Sequence, residues 1–210
     1  MNDKQDQIKS DRLKTEHLPE VAQLHIIGIK DGFVGSLGNK FICRLYQAMI
    51  ESDQAFGFVA IKDGRVLGFV TCAESVWGVY KHIIKKNFCK LAWAILPKMF
   101  RWYNIKNTIA ALLHPSKTGK NLPPAEFLSL VVDKSFRRMG VGKKLIELGR
   151  DEFRRRGIKQ ITLTPAEDQH ADEFYNALGC KLVGHSQKRG VLINIYIMEV
   201  SDGEGKKNGA

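Results

Sequence analysis

Apolar residues recur along this chain in two rhythms, and each rhythm predicts one type of element. A step of three to four predicts helices over residues 18–30, 39–50, 140–156 and 168–178. Short runs rich in Val, Ile and Phe, or alternating apolar positions, predict strands over residues 56–61, 66–71, 127–132, 158–164 and 191–200. Asp63-Gly64 between the first two strands predicts an antiparallel hairpin. This order predicts an α/β (α+β) fold with a mixed sheet flanked by helices.

A segment between the hairpin and the third strand has helical spacing of its own. Its apolar positions recur in steps of four and three at Tyr80, Ile84, Phe88, Leu91, Ile95, Met99 and Trp102. Pro97 interrupts the series, because proline lacks the N–H that a helix interior needs, so two helices are expected to meet there. We therefore expect a single domain over residues 1–200, with a helical insertion at about 77–120 and a disordered tail at 201–210.

Composition and cysteine placement narrow the class of protein. Hydrophobic residues make up 44% of the 210, which excludes disorder for most of the chain. The charged start lacks the apolar stretch of a secretory signal, and no apolar stretch reaches the ~20 residues of a membrane span, so a cytoplasmic protein is expected. Cysteines at positions 43, 72, 89 and 180 are widely separated, which favours reduced thiols over a disulfide frame and predicts no metal site.

The net charge of +11 is concentrated in the insertion. Between Glu74 and Glu126 the chain has nine Lys or Arg residues, no acidic residue, and all three tryptophans. Two interpretations are open: the apolar stripe packs on the domain while the lysines stay solvated, or the segment forms a lid or platform for an anionic or amphiphilic partner. The second interpretation includes an anionic membrane surface. Nucleic acid is disfavoured, because no nucleic-acid motif accompanies the basic residues.

Gly140 and Gly142 follow a predicted strand and open a predicted helix. Glycines let the backbone approach a ligand closely, and the free amides and dipole of a helix start attract phosphate, so an anion-binding turn is expected. The alternative is a tight turn with no ligand. A Walker loop is excluded by Arg137 and Lys144, and a dinucleotide fingerprint by Leu145, which occupies the third glycine position.

Two segments resemble the GNAT acetyltransferase superfamily. Arg137, Gly140 and Gly142 fit its motif A, Q/R-x-x-G-x-G/A, and residues 168–180 are similar to its N-x-x-A-x-x-x-Y-x-x-x-G-F pattern. Asp168 and Cys180 depart from the usual Asn and Phe. The resemblance implies a mainly antiparallel sheet and acetyl-CoA as co-substrate. It also implies a coenzyme site made of Leu130, Val131, Val132, Arg137, Arg138, Met139, Gly140, Val141, Gly142, Lys143 and Asp168.

The same resemblance implies direct attack of an amine, or less often a hydroxyl, on the thioester. By family analogy Tyr175 is the general acid beside the departing sulfur, since a phenol is protonated at pH 7. The alternative is that Tyr175 belongs only to the core. Glu126, at the start of the strand before motif A, is the candidate base, with Glu74, His170 and His185 as rivals.

The acceptor is expected to contact the first two helices and the hairpin, at Phe33, Ser36, Leu37 and Glu74. A segment without acids disfavours polyamines and lysine-rich peptides, so a small anionic or amphiphilic acceptor is expected. Three alternatives stay open: a protein N-acetyltransferase, a module that docks on nucleic acid, and one that docks on the inner membrane face with acetyl transfer secondary. A homodimer is also left open, because exposed aromatics favour association.

Overall fold

The computed structural model describes residues 8–29, 35, 37–86, 122–165, 171–188 and 191–200. Seven strands are present among them: β1 Lys9–Arg12, β2 Ala55–Lys62, β3 Arg65–Ala73, β4 Glu126–Val132, β5 Gln160–Leu163, β6 Lys181–Lys188 and β7 Val191–Glu199. Five helices accompany them: α1 Leu18–Gly28, α2 Asn39–Ile50, α3 at residues 76–86, α4 Val141–Arg155 and α5 Ala171–Ala177. Residues 87–121 and the tail from 201, including the bend expected at Pro97, lie outside the described residues.

One sheet holds all seven strands, in the order β1-β2-β3-β4-β5-β7-β6. Every neighbouring pair is antiparallel except β4 and β5, which run parallel. The predicted mixed, mainly antiparallel sheet is therefore confirmed. The predicted hairpin is confirmed too: Asp63 and Gly64 both adopt positive φ, 51° and 75°, as a two-residue turn between twisted strands requires.

Helices cover both faces of the sheet and enclose two apolar cores. On the first face α1 and α2 bury Val21, Ile42 and Tyr46 against β2 and β3, and α3 adds Val79 and Ile83 to the same core. On the second face α4 buries Leu145, Ile146 and Phe153, and α5 packs Phe174 and Tyr175 beside them. The helix expected after the hairpin is thus present over residues 76–86, and within the described chain no helix has the length and apolar character of a membrane span.

One predicted boundary is corrected by a local hydrogen bond, and another falls outside the described residues. The strand expected over 158–164 is shorter, because the Ile158 amide donates to the Phe153 carbonyl (3.0 Å) and belongs to the end of α4, where Gly157 has a φ of 75°. The helix expected from Asp168 is described from Ala171 onward, since residues 166–170 lie outside the described part.

Candidate functional site

Strand β4 is paired along its whole length on one side and only at its start on the other. Glu126 and Phe127 pair with Thr162 and Leu163 of β5, and β5 then ends, whereas the β3 pairing continues to Val132. A bulge interrupts the β3 pairing, so that Cys72 faces Phe127 and Thr71 faces Ser129. Leu128 is therefore the extra residue, and a bulge of this kind bends its strand. Among the described residues, the edge of β4 beyond Phe127 is open toward β5.

Backbone groups of Leu130 and Val132 face this open edge. The Asp133 amide donates to the Leu67 carbonyl (2.7 Å). Backbone groups of successive residues in an antiparallel pair point alternately toward and away from the partner strand. Those of Val131 and Ser129 therefore point toward β3, and those of Leu130 and Val132 point away from it. The Val132 carbonyl accepts a hydrogen bond from Nε of Arg137 (3.3 Å), which confirms that it points outward. The side chain of Val131 is buried under α1. Of the three predicted strand residues, two present backbone to the open edge.

The predicted glycine turn joins β4 to α4. The Asp133 side chain accepts from the Ser135 amide (2.9 Å), one 3-10 turn follows at Lys134–Phe136, and Gly140 then precedes α4 with a φ of 80°. Arg138 also has a positive φ, 60°, so the turn holds two left-handed residues. This conformation favours glycine at position 140, because a side chain there is strained.

The amides at the start of α4 are available to an anion. The first hydrogen bond of the helix runs from Lys144 to the Gly140 carbonyl (2.9 Å), so the amides of Val141, Gly142 and Lys143 have no carbonyl partner within the helix. Lys143 and Arg138 are exposed beside them, whereas Met139 is partly buried and Val141 is buried against the second core. Backbone amides, the helix dipole and these cations together form a site suited to phosphate.

Tyr175 lies on the same face of the sheet as this turn. Its helix α5 reaches α4 through Phe174, whose ring is in ordinary contact range of a Cβ added to Gly142 (3.6 Å). The Tyr175 ring is 9% exposed and stacks on Tyr196, with centroids 5.5 Å apart. Tyr196 donates its hydroxyl proton to Asp172 in turn, and Asn194 donates to the same carboxylate oxygen (2.8 Å), so the pKa of Asp172 is lowered.

Glu126 stands where β4 and β5 still pair. Its carboxylate accepts from the Thr164 hydroxyl (3.3 Å) and is half-buried. The Val76 amide at the start of α3 donates to the Pro124 carbonyl (3.4 Å), so α3 adjoins this end of β4. Burial raises the pKa of Tyr80 on α3, and the negative charge of Glu126 raises it further. Thr164 and Tyr80 are neighbours that the sequence did not identify.

The rival bases have other partners or lie outside the described chain. Glu74 forms an ion pair with Arg156, which also donates to Glu152 (2.8 Å) and to the Asp53 carbonyl (2.9 Å). His185 is exposed on β6, and its Nδ1 lies 2.7 Å from the Asn194 side-chain oxygen. His170 falls outside the described residues.

Two of the predicted acceptor residues, Leu37 and Glu74, have other neighbours in the described part of the chain. Leu37 is 8% exposed and packs in the first core, and Glu74 is held by Arg156. Phe33, Ser36 and Asp168 lie outside the described residues, so their roles stay predictions.

A buried chain of hydrogen bonds that the sequence did not predict ends beside the β4 bulge, at Ser129. Nδ1 of His25 lies 2.7 Å from the Tyr46 hydroxyl, which donates to the hydroxyl of Ser129 (3.4 Å). Burial lowers the pKa of His25 to about 4 and raises that of Tyr46. Ser129 was the available signal, since it is the one polar side chain inside the apolar run FLSLVV.

The chain was compared with known proteins. The family model described as Acetyltransferase (GNAT) family matches residues 33–180. No curated protein matches the chain by sequence. Among solved structures, the ribosomal-protein-S18-alanine N-acetyltransferase from Escherichia coli is 14% identical, with a TM-score of 0.58 over 95% of this chain and 97% of that one.

Two further solved structures are similar in the same way. An aminoglycoside 6'-acetyltransferase type Ii is 15% identical, with a TM-score of 0.59 over 93% of this chain and 99% of that one. A putative acetyltransferase from Salmonella typhimurium, solved with acetyl-CoA, is 11% identical, with a TM-score of 0.60 over 97% of this chain and 99% of that one. At these identities the likeness shows the fold.

Proposed function

Because this chain belongs to the GNAT family of acetyltransferases, which take their acetyl group from acetyl-CoA, we propose that it acetylates an amine, or less often a hydroxyl, of a small anionic or amphiphilic acceptor. The observation that carries the proposal is one continuous feature, the open edge of β4 leading into the glycine turn of α4. Family membership does not identify the acceptor, so the proposed acceptor class is inferred from the charge of the residues near the site.

The residues present fit the coenzyme. Outward-facing backbone groups of Leu130 and Val132 suit an amide-bearing arm that lies along β4 as an added strand would. The amides of Val141, Gly142 and Lys143 suit the pyrophosphate, with Arg138 beside them. Arg137 holds the Val132 carbonyl in this structure and would have to release it when the arm binds.

Tyr175 and Glu126 are the proton-handling groups of the proposal. When bound, acetyl-CoA supplies the acetyl thioester. Tyr175 gives its phenol proton to the departing sulfur, and its ring is held in place by the stack on Tyr196. Glu126 takes the proton that the acceptor loses, directly or through a water, at the end of β4 that adjoins α3. The competing role for Tyr175 is packing alone, which its burial also permits.

Charge supports an anionic or amphiphilic acceptor. Helix α3 follows β3 directly, and its residues Lys81, Lys85 and Lys86 are exposed. No residue of α3 is acidic, so its exposed lysines disfavour a cationic acceptor. The solved relatives include enzymes named for a ribosomal protein and for an aminoglycoside, so the fold is compatible with more than one acceptor class.

Titration calorimetry with acetyl-CoA tests the coenzyme site without knowledge of the acceptor. Gly140→Glu places a strained, negatively charged side chain in the turn, and binding should be lost. Gly142→Ala is the matched control, because its methyl group meets only ordinary contacts at 3.6 and 3.7 Å, and it should bind like the wild type. Gly140→Asn tests conformation alone, since Asn tolerates positive φ, and it should retain binding.

The outcomes separate a coenzyme site from a simple turn. Thermal unfolding of each variant shows first that the domain is intact. Equal affinity in wild type and Gly140→Glu, or no binding by either folded protein, would mean that the turn holds no coenzyme, and the proposed activity would then lose its site.

A further inference from the structure

Helix α3 has one face in the core and the other in solvent, and the solvent face carries large apolar side chains. Val79 and Ile83 are 3% and 8% exposed, whereas Trp77 is 50% and Ile84 45% exposed. At 100° per residue, Trp77, Lys81, Ile84 and Lys85 fall within one arc of about 100° opposite the buried pair. The exposed apolar residues therefore form one stripe, which we call the Trp77 face.

Cations accompany this stripe. Nζ of Lys81 lies 5.5 Å from the centroid of the Trp77 ring, and Lys85 is exposed on the same arc. Neither has an acidic neighbour in sequence, because the chain contains no Asp or Glu from position 75 to 125. The charge of the face is therefore not neutralised by its own helix, and an anionic surface would complement it.

The combination distinguishes between partners. A merely solvated face needs its lysines but leaves the exposure of Trp77 and Ile84 unexplained. Single-stranded nucleic acid would use stacking rings, of which this face offers one, and Ile84 provides neither stacking nor a hydrogen bond. A lipid interface accounts for every residue of the Trp77 face. Trp lies at the headgroup level, an aliphatic side chain enters the acyl boundary, and lysines reach anionic headgroups.

We propose that the Trp77 face docks on an anionic lipid bilayer and holds the domain there. The start of α3 adjoins the Glu126 end of β4, because the Val76 amide donates to the Pro124 carbonyl (3.4 Å), and the proposed function places the acceptor at this end. Docking would then bring that end within about one helix diameter, ~10 Å, of the bilayer. If the domain docks in this way, its acceptor is an amphiphilic molecule that resides in the membrane. This assignment of the acceptor rests on the proposed function.

Co-sedimentation with vesicles tests the docking. We expect the protein to bind vesicles of phosphatidylglycerol and phosphatidylcholine and to remain free of vesicles of phosphatidylcholine alone. Raising the ionic strength from about 0.01 M to about 0.15 M shortens the Debye length from about 30 to about 8 Å and should weaken binding. Lys81→Glu with Lys85→Glu should reduce the partition coefficient at least about tenfold, and Trp77→Ser should reduce it as well.

A charge-matched control separates the face from net charge. Lys9→Glu with Lys40→Glu lowers the net charge by the same four units. Both lysines are exposed, and Lys9 lies beside the hairpin turn, at the end of β2 and β3 away from α3. This variant should bind the anionic vesicles like the wild type. Equal losses in the two double variants would overturn the proposal, as would failure of the wild type to bind at low ionic strength.

Two further measurements make the remaining outcomes decisive. Acetyl-CoA calorimetry should be unchanged in Lys81→Glu/Lys85→Glu, so that a loss of docking is distinguishable from a loss of the coenzyme site or of the fold. Fluorescence anisotropy with a labelled single-stranded oligonucleotide provides the competing arm. If the protein binds the oligonucleotide and not the anionic vesicles, the face recognises nucleic acid and the lipid proposal is wrong.

Discussion

Helix α4 packs tightly against the sheet at Gly149, and Gly149→Ala should push it away. An added Cβ would lie 2.5 Å from Cε1 of Phe127 and 3.2 Å from Sγ of Cys72. Neither neighbour can retreat, because Cys72 is fully buried and the Phe127 ring packs edge-on against Phe153, with centroids 5.4 Å apart. The methyl group therefore overpacks this contact.

Two opposing effects set the magnitude. Overpacking a close-packed core costs typically 1–3 kcal/mol, and the rigid surroundings place this site near 3 kcal/mol, while Ala in place of Gly inside a helix gains about 1 kcal/mol. The net expectation is a loss of about 2 kcal/mol in the free energy of unfolding. For a domain of this size that corresponds to a fall in Tm of about 4–8 °C.

Urea unfolding of five proteins checks this reasoning: the wild type, Gly149→Ala, Phe127→Leu, the double variant and Gly184→Ala. In a Phe127→Leu background the ring atoms that clash are gone, so Gly149→Ala should be neutral or stabilise by up to about 1 kcal/mol. Gly184→Ala is the control, because nothing lies within 4 Å of its added Cβ, and it should change stability by at most about 0.5 kcal/mol. If Gly149→Ala alone is as stable as the wild type, or if its effect is the same in both backgrounds, the contact does not limit the packing of α4.

Two predictions concern single ionisable side chains. Tyr175→Phe should leave acetyl-CoA affinity unchanged and lower kcat at least about tenfold once an acceptor is found, because the sulfur then lacks its proton donor; a fall of less than twofold would assign Tyr175 to the core. His25 has a pKa of about 4 in the folded protein, below its ordinary 6.5, because it is buried. Its contribution to stability is therefore present above pH 6.5 and is lost as the pH falls toward 4. This loss amounts to about 3 kcal/mol and should be absent from the urea unfolding of His25→Asn, whereas parallel pH profiles would contradict it.

The elements that the sequence predicted well are those whose own residues carry the signal. Helix α2 spans 39–50 as expected, because its apolar positions repeat over three turns. The hairpin of β2 and β3 follows from Asp63-Gly64 between two apolar runs. The glycine turn could be identified because the backbone at position 140 adopts a φ of 80°, a conformation that favours glycine.

The two strands missing from the sequence analysis are both edge strands. β1 has the sequence KSDR, with no apolar residue, and becomes a strand because it pairs with β2 from Lys9 to Arg12. β6 exposes Leu182 and Val183, and among the described strands it pairs with β7 alone. An edge strand buries little of its own surface, so its pattern is weak, and its pairing partner decides its structure.

Contacts between distant residues were equally inaccessible. Glu74, one of the rival candidate bases, forms an ion pair with Arg156, which lies 82 positions later. The hydrogen bonds of Tyr46 with His25 and Ser129 join residues separated by 21 and 83 positions. Nothing in the local sequence of either group indicates its partner, because only the packing of α1, α2 and α4 on the sheet brings the residues together.

The β4 bulge makes the number of residues between Phe127 and Leu130 as important as their type. Phe127 and Leu130 face the same core although they are three positions apart, because Leu128 and Ser129 both face the other side. Deleting Leu128 would restore strict alternation and leave every other residue on its present face, but it would remove the bend that the bulge gives β4 where β5 ends. The extra position is therefore needed for the shape of this edge whichever side chain occupies it, because it bends β4 beside the proposed coenzyme site.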